Sequence, residues 1–259
     1  MGERLKKNFA TDEHRSAEEE RSFICVNLCS SVAQKTFPSR FFRHGMKVWD
    51  ISRTLAADLA PWPGDTPFGF ELIRRISSGD VVNLGSISMS VHNGTHADAV
   101  FHFEANGATI ERAPLETYVG RAAVVDLNGT FSQEGKSLIE IDDLRPHEQD
   151  IGTASRLLVK TGVWQDSTVF PPWIPVIAPQ VAEWLGTRSV KLLGLDLPSV
   201  DPIDAKVLAN HRALARAGIW IIESLDLTAV SAGIYNFAAF PLKISGGDGA
   251  PVRAVLWRE

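Results

Sequence analysis

Residues 90–103 read S-V-H-N-G-T-H-A-D-A-V-F-H-F and set His92, His96, Asp98 and His102 within eleven positions. At the 3.6-residue period of a helix, His92 and His96 share a face while Asp98 and His102 turn away from it. In an extended chain the period is two, and all four, being even-numbered, lie in phase. The preceding residues favour the extended form: Ile87, Met89 and Val91 are apolar and alternate with Ser86, Ser88 and Ser90, the pattern of a half-buried strand. The odd face is expected in the core, and the even face carries a polar row into His92. Gly94 lets the backbone turn there or approach a bound ion without a side chain in the way.

Imidazole nitrogen and carboxylate oxygen are the usual ligands of zinc and of harder ions such as manganese, and a carboxylate can bridge two ions. A lone histidine is more often satisfied by ordinary hydrogen bonds. Four such groups in phase point to a divalent metal instead.

The surrounding composition bounds the class of protein. The chain has 259 residues, 44% of them hydrophobic and 22% charged, which is ordinary for a soluble globular protein with a sizeable core. A net charge of −5 and a pI near 5.8 argue against a nucleic-acid partner, which needs a basic face. Cys25 and Cys29 are the only cysteines, so the sequence from Met46 onward has neither disulfides nor thiolate-bound zinc. That fits a reducing cytoplasm and leaves His and carboxylate as the ligand set. No run of eighteen apolar residues is present to span a membrane.

Residues 1–45 differ in character. The first 22 hold five Lys/Arg and six Asp/Glu among few apolar positions, and a disordered leader is expected there. The run F-I-C-V-N-L-C-S-S-V-A at 23–33 is short, broken by Asn27 and preceded by a long, mildly acidic segment, so it does not read as a signal peptide. Met46 is the expected native start, and 46–259 the folded domain.

Within that domain the candidate strands are 48–52, 84–92, 122–127, 157–161, 191–196, 219–224 and 252–257. The candidate helices are 179–187, with Val181, Trp184 and Leu185 on one side, and 204–217, stopped by Gly218. Alternating strands and crossing helices give an α/β single domain with a mixed β-sheet core and flanking helices. Residues 145–148, including His147, read as a solvated loop, and Gly246-Gly247-Asp248-Gly249 as a tight turn, since it lacks the G-x-x-x-x-G-K-[ST] spacing of a phosphate loop. Asp196 and Asp201 read as turn and capping residues.

Two further positions carry chemistry. Glu223 interrupts the apolar run Ile219-Trp220-Ile221-Ile222, where an unpaired carboxylate costs several kcal/mol, so it must be paired, protonated or metal-bound. His211 shares a helix face with Val207 and Leu214, a pattern more typical of a core histidine, but the short connection through Gly218 can return Glu223 toward it. No G-x-S-x-G elbow, no body cysteine and no dinucleotide fingerprint occurs, so covalent and redox-cofactor mechanisms lack their parts and metal-activated water remains. Trp62 lies in the turn-rich Pro61-Trp62-Pro63-Gly64-Asp65, where it either caps the core or faces a ligand.

The segment H-N-G-T-H-A-D-A-V-F-H resembles the H-x-G-T/A-H-x-D-x-P-x-H signature of the cyclase-type metal-dependent hydrolases. D-L-A-P-W-P-G-D-T-P-F at 58–68 resembles the W-P-G-D-T-P-F segment of the bacterial kynurenine formamidases in that group. The likeness runs from about Val48 to Leu256 and includes L-G-L-D-L-P-S-V-D-P at 193–202 and F-P-L-K-I-S-G-G-D-G-A-P-V-R-A-V-L at 240–256. It implies a swivelling β/β/α cyclase-like fold and two divalent metal ions, zinc, with manganese as the alternative. It also implies that His92, His96 and Asp98 hold one ion and that Asp98, His211 and Glu223 hold the other. His102 would serve as the general acid and base, Trp62 would stack on an aromatic substrate, and the protein would be a homodimer. The implied reaction is hydrolysis of the aryl formamide N-formyl-L-kynurenine to L-kynurenine and formate in tryptophan catabolism, with no nucleic-acid or membrane partner. Two positions depart from the pattern: Val100 stands where the family has Pro, which leaves the turn aiming His102 looser, and Leu197 replaces a small polar residue, which alters the pocket rim. The competing readings are a related amidohydrolase that opens the isatin ring and a metal-binding homologue without turnover.

Overall fold

The computed structural model describes residues 45–258, so the leader expectation for 1–45 falls almost wholly outside the described residues. In chain order the strands are β1 (Lys47–Asp50), β2 (Gly69–Arg74), β3 (Leu84–Ser88), β4 (His96–Asp98), β5 (Val119–Asp126), β6 (Leu138–Ile139), β7 (Arg156–Lys160), β8 (Val176–Ile177), β9 (Leu192–Leu195), β10 (Trp220–Glu223), β11 (Gly233–Ala238), β12 (Gly249–Pro251) and β13 (Val255–Arg258). The α-helices are α1 (Ile141–Leu144), α2 (Glu148–Ala154), α3 (Val181–Gly186) and α4 (Ala209–Arg216). Nine strands form one mixed sheet in the order β1-β13-β11-β5-β7-β9-β10-β4-β12, parallel from β5 through β10 and antiparallel elsewhere. Contacts group Lys47–Glu259 as one compact unit.

The parallel centre is buried on both faces, as its continuous apolar strands require. Val125, Val159, Leu193 and Ile221 point into one cluster with Leu144, Ile151, Val181, Leu185 and Leu214 of the helices. Their neighbours Val124, Leu158, Leu192 and Ile222 point the other way, onto Tyr118, Tyr235, Phe237 and Leu256. The two-residue period of the strand thus divides one run of apolar residues between two cores.

Three expectations are corrected. Strand β3 pairs only with β2 in a separate hairpin, and Ile87 is 61% exposed rather than in the core. Alternation specifies a face, but only a second layer can cover it, and among the described residues this hairpin leaves that face exposed. Helix α4 begins at Ala209, not at 204, because Asp201 accepts hydrogen bonds from the backbone of Asn210 at 2.9 Å and His211 at 3.1 Å and so fixes the first turn there; Val207 lies outside the helix and is exposed. Residues Arg145–His147 form a 3-10 helix after α1, not a loop.

Candidate active site

The sequence stretch 90–103 is not one extended strand. His92 sits in a turn, His96 and Asp98 occupy the ends of β4, and His102 closes a 3-10 helix over Val100–His102. Only His96 and Asp98 share a face through strand alternation; the other two are brought in by the bends on either side. Gly94 makes the first bend with φ +64, and a side chain there would meet Leu55 at 2.8 Å. The second bend is held by the backbone of His102 donating to Ala99 O at 3.0 Å and Phe101 to Ala108 O at 3.0 Å.

Strand β10 runs beside β4, with Glu223 opposite His96, and α4 packs above, with His211 buried. The resulting centre is dense in donors. His96 Nε2 lies 3.4 Å from Asp98 Oδ1 and 3.6 Å from Glu223 Oε2, His211 Nε2 3.5 Å from Asp98 Oδ2 and 3.4 Å from Glu223 Oε1, and His92 Nδ1 3.1 Å from Asp98 Oδ1. The outer nitrogen of each imidazole meets a fixed oxygen: His96 Nδ1 the Gly94 carbonyl at 2.9 Å, His211 Nδ1 the Asp201 carboxylate at 2.7 Å, and His92 Nε2 the Asp248 carboxylate at 3.0 Å. Each ring therefore turns its remaining nitrogen inward, the arrangement by which outer partners orient metal-ligating histidines.

Two sets of three groups can each hold an ion, His92 with His96 and Asp98, and Asp98 with His211 and Glu223. Asp98 belongs to both. His96 Nε2 and Asp98 Oδ2 are buried without a hydrogen-bond partner. Orphaned polar atoms are uncommon in a folded interior, and a nitrogen and an oxygen orphaned within one centre fit a cation bound between them. A third set joins His92, His102 and Asp248 nearer the surface.

The charges follow. Burial raises the Asp98 carboxyl, but the surrounding imidazoles of His211, His92 and His96 outweigh it and hold the group well below the carboxylate range. Burial likewise opposes charge on His92, yet Asp248 and Asp98 keep its pKa up at about 10. His211 is raised well above its ordinary value, burial being overcome by Asp201, Asp98 and Glu223. His102 goes the other way, because burial lowers it more than the carboxylates restore.

The centre opens into a cavity of about 490 Å³, in the size range of small-molecule sites. Trp62, Trp164, Phe170 and Ile203 line it together with His92, His96, His102, His211 and Glu223. Trp62 meets Phe170 edge-on at 5.2 Å and 78°, so the Pro-rich loop presents an aromatic wall. Leu197 does not reach the rim: it is fully buried in the core, since alternation at the end of β9 turns it inward, while Pro198 and Ser199 line the cavity.

Residues 49–202 match the Cyclase family model, described as "Putative cyclase". The chain belongs to the cyclase family. Among its cyclase relatives, a kynurenine formamidase of Geobacillus thermodenitrificans (strain NG80-2) is 43% identical over 212 residues, covering 82% of this chain and 98% of that protein. A solved structure described as a potential metal-dependent hydrolase with cyclase activity is 29% identical, with a TM-score of 0.69 over 83% of this chain and all of its own. Isatin hydrolase A from Ralstonia solanacearum shares the cyclase fold at 23% identity and a TM-score of 0.70, covering 96% of this chain and 100% of its own. The α/β cyclase-like fold expected from sequence is therefore the fold of the chain.

His92, His96, His102, His211, Glu223 and Trp62 line this one cavity, and Asp98 lies behind them, within reach of His92, His96 and His211. Sequence reasoning missed two carboxylates beside it. Asp201 reads from sequence as a turn and capping residue; in the structure the N-cap is Leu208, while Asp201 accepts from the first turn of α4 with Oδ1 and meets His211 Nδ1 with Oδ2. Asp248 was absorbed into a tight turn, and no periodicity links residue 248 to residue 92. Phe170 also carried no signal.

Proposed function

We propose that this chain is a metal-dependent arylformamidase that hydrolyses N-formyl-L-kynurenine to L-kynurenine and formate, in tryptophan catabolism. The observation that carries the reading is the convergence of His92, His96, His102, His211 and Glu223 on an aromatic-walled cavity, with Asp98 shared between the two donor sets behind them. The kynurenine formamidase relatives at about 40% identity over 80% of the chain support the choice of substrate.

His92, His96 and Asp98 would hold one divalent ion and Asp98, His211 and Glu223 a second, Asp98 belonging to both sets; zinc would suit this nitrogen and oxygen donor set, and manganese is the alternative. A divalent ion so held supplies Lewis acidity, lowering the pKa of water and polarising the formyl oxygen. The rest belongs to the chain's own residues. Trp62, Trp164 and Phe170 offer the aryl ring flat and edge contacts that fix its orientation. His102 stands at the mouth of the centre and, lowered by burial, is neutral at pH 7. With Nδ1 turned to Asp248 at 3.5 Å, Nε2 is the nitrogen left to exchange a proton. As the water oxygen bonds to the formyl carbon, His102 accepts its proton, and as the C–N bond breaks it returns that proton to the aniline nitrogen.

The folded domain is 46–259, acting as a cytoplasmic homodimer. The dimer reading draws support from the β2–β3 hairpin, which exposes Phe70, Ile73, Ile76 and Ile87, more apolar surface than an isolated hairpin needs. No helix among the described residues is long and apolar enough to cross a membrane.

The test is hydrolysis of N-formyl-L-kynurenine by the purified protein, followed as kynurenine absorbance, before and after chelation and with zinc or manganese restored. Activity lost on chelation and regained with metal is expected. Absence of turnover with metal demonstrably bound overturns the substrate assignment, and isatin is then the first alternative to assay.

A further inference from the structure

The segment Gly246-Gly247-Asp248-Gly249 is the one motif of the sequence that the function has not absorbed, and it lies against the active centre. Strand β12 pairs antiparallel with β4, placing Gly249 opposite Asp98, and the backbone of Ala99 donates to Asp248 O at 2.9 Å. The ladder thus fixes Asp248 one residue from the position opposite the shared carboxylate, with its own carboxylate against the outer nitrogen of His92. Gly249 makes that approach feasible: a Cβ there would stand 2.8 Å from His92 Cε1 and 3.0 Å from the Ala97 carbonyl. The position requires glycine because the His92 ring lies on it.

A single oxygen of Asp248 serves two rings. Asp248 Oδ2 is 3.0 Å from His92 Nε2 and 3.5 Å from His102 Nδ1, and the two rings lie 4.1 Å apart at 37°. A hydrogen bond to Nε2 settles the tautomer of His92, leaving Nδ1 for the centre, where it already faces Asp98 at 3.1 Å. The same oxygen lies 3.5 Å from His102 Nδ1, an electrostatic contact that favours that nitrogen facing Asp248 and leaves the other free.

We propose that Asp248 is a positioning residue which, through one carboxylate oxygen, orients both the metal-facing imidazole of His92 and the proton-transferring imidazole of His102. The inference rests on the metal and acid–base roles given above. A turn residue would matter for folding alone; a positioning residue matters for metal retention and for turnover at constant substrate affinity.

The experiment compares the full-length parent with Asp248→Ala and Asp248→Asn. Zinc affinity is measured by competition with a chromophoric chelator, the metal-free melting temperature by circular dichroism, and kcat and KM at saturating zinc. Asp248→Ala is expected to weaken zinc binding by ~10–100-fold, the usual effect of removing an outer partner of a metal ligand. It should also lower kcat at least tenfold with KM within about twofold, while the metal-free melting temperature falls by no more than a few degrees, from loss of the Asp248–His92 pair. Asp248→Asn, whose amide oxygen still accepts from His92 Nε2–H, should recover most of the zinc affinity. Parental zinc affinity and kcat in Asp248→Ala overturn the proposal. So does a loss that follows the metal-free melting temperature or that Asn fails to recover. A parent that binds no zinc and hydrolyses no formamide overturns the underlying functional reading instead, and the two failures are distinct.

Discussion

His102→Ala separates proton transfer from metal binding in this site. The side chain is 30% exposed, and its contact with Asp248, at 3.5 Å, is longer than a good hydrogen bond, so its removal should cost no more than ~1 kcal/mol of stability. Neither donor set that contains Asp98 includes His102, so both ions should remain. The rate should not survive. General acid–base catalysis contributes ~10²–10⁴ in rate, which at about 1.36 kcal/mol per tenfold corresponds to about 2.7–5.4 kcal/mol of barrier. The assay is kcat for N-formyl-L-kynurenine at saturating zinc, with metal content measured on the same sample by mass spectrometry. The expected variant holds the parental metal stoichiometry, melts within a few degrees of the parent, and turns over at least a hundredfold more slowly. A variant within tenfold of the parental rate refutes the role. Loss of one equivalent of metal refutes it differently, because His92, His102 and Asp248 form a third set of donors and the histidine would then be a ligand.

Three further outcomes follow from the geometry. The metal-free protein should lose stability as pH rises from about 6.5 to about 10: His92 is raised from 6.5 to about 10, so its contribution is fully present below 6.5 and lost through about 10, whereas the stabilisation added by zinc should grow over that window because the ligands must be deprotonated. Urea midpoints with chelator and with zinc test this, and parallel pH curves would falsify it. Val100→Pro should be neutral or stabilise by ~0.4–1 kcal/mol with kcat unchanged, since Ala99 is already extended at φ −95 and ψ 156 and position 100 opens a 3-10 helix, where an N–H is dispensable; a drop in kcat beyond threefold contradicts this account of the turn. Trp62→Ala should raise KM about three- to tenfold, from loss of ~0.5–1.5 kcal/mol of aromatic contact, and leave metal content intact; an unchanged KM places the substrate ring elsewhere.

The sequence by itself determined the inventory and much of the framework. The strands at the centre of the sheet were legible because stretches such as Leu157–Val159 and Leu192–Leu195 hold no polar side chain, a pattern that parallel strands buried on both faces require. Glu223 announced itself as a carboxylate in such a run, and the H-x-x-x-H-x-D spacing marked the ligand residues, though β4 lies past the end of the candidate strand 84–92. Strand β12 was not legible, being three residues of Gly-Ala-Pro with no alternation to read, and neither were β6 and β8, of two residues each.

What only the tertiary structure decided is where groups distant in sequence meet. Alternation assigned Ile87 to a buried face, yet among the described residues it is exposed on a two-stranded hairpin apart from the main sheet. Period two placed four ligand-type residues in phase, while their convergence comes from two bends around a three-residue strand, fixed by Gly94 and by the 3-10 turn. Asp201 and Asp248 touch the imidazoles across 10 and 156 positions of chain, and the latter contact exists because β12 happens to pair with β4. Local sequence encodes which side chains a segment offers and on which face. Which of them share a centre is set by strand pairing, a non-local choice that no window of sequence contains.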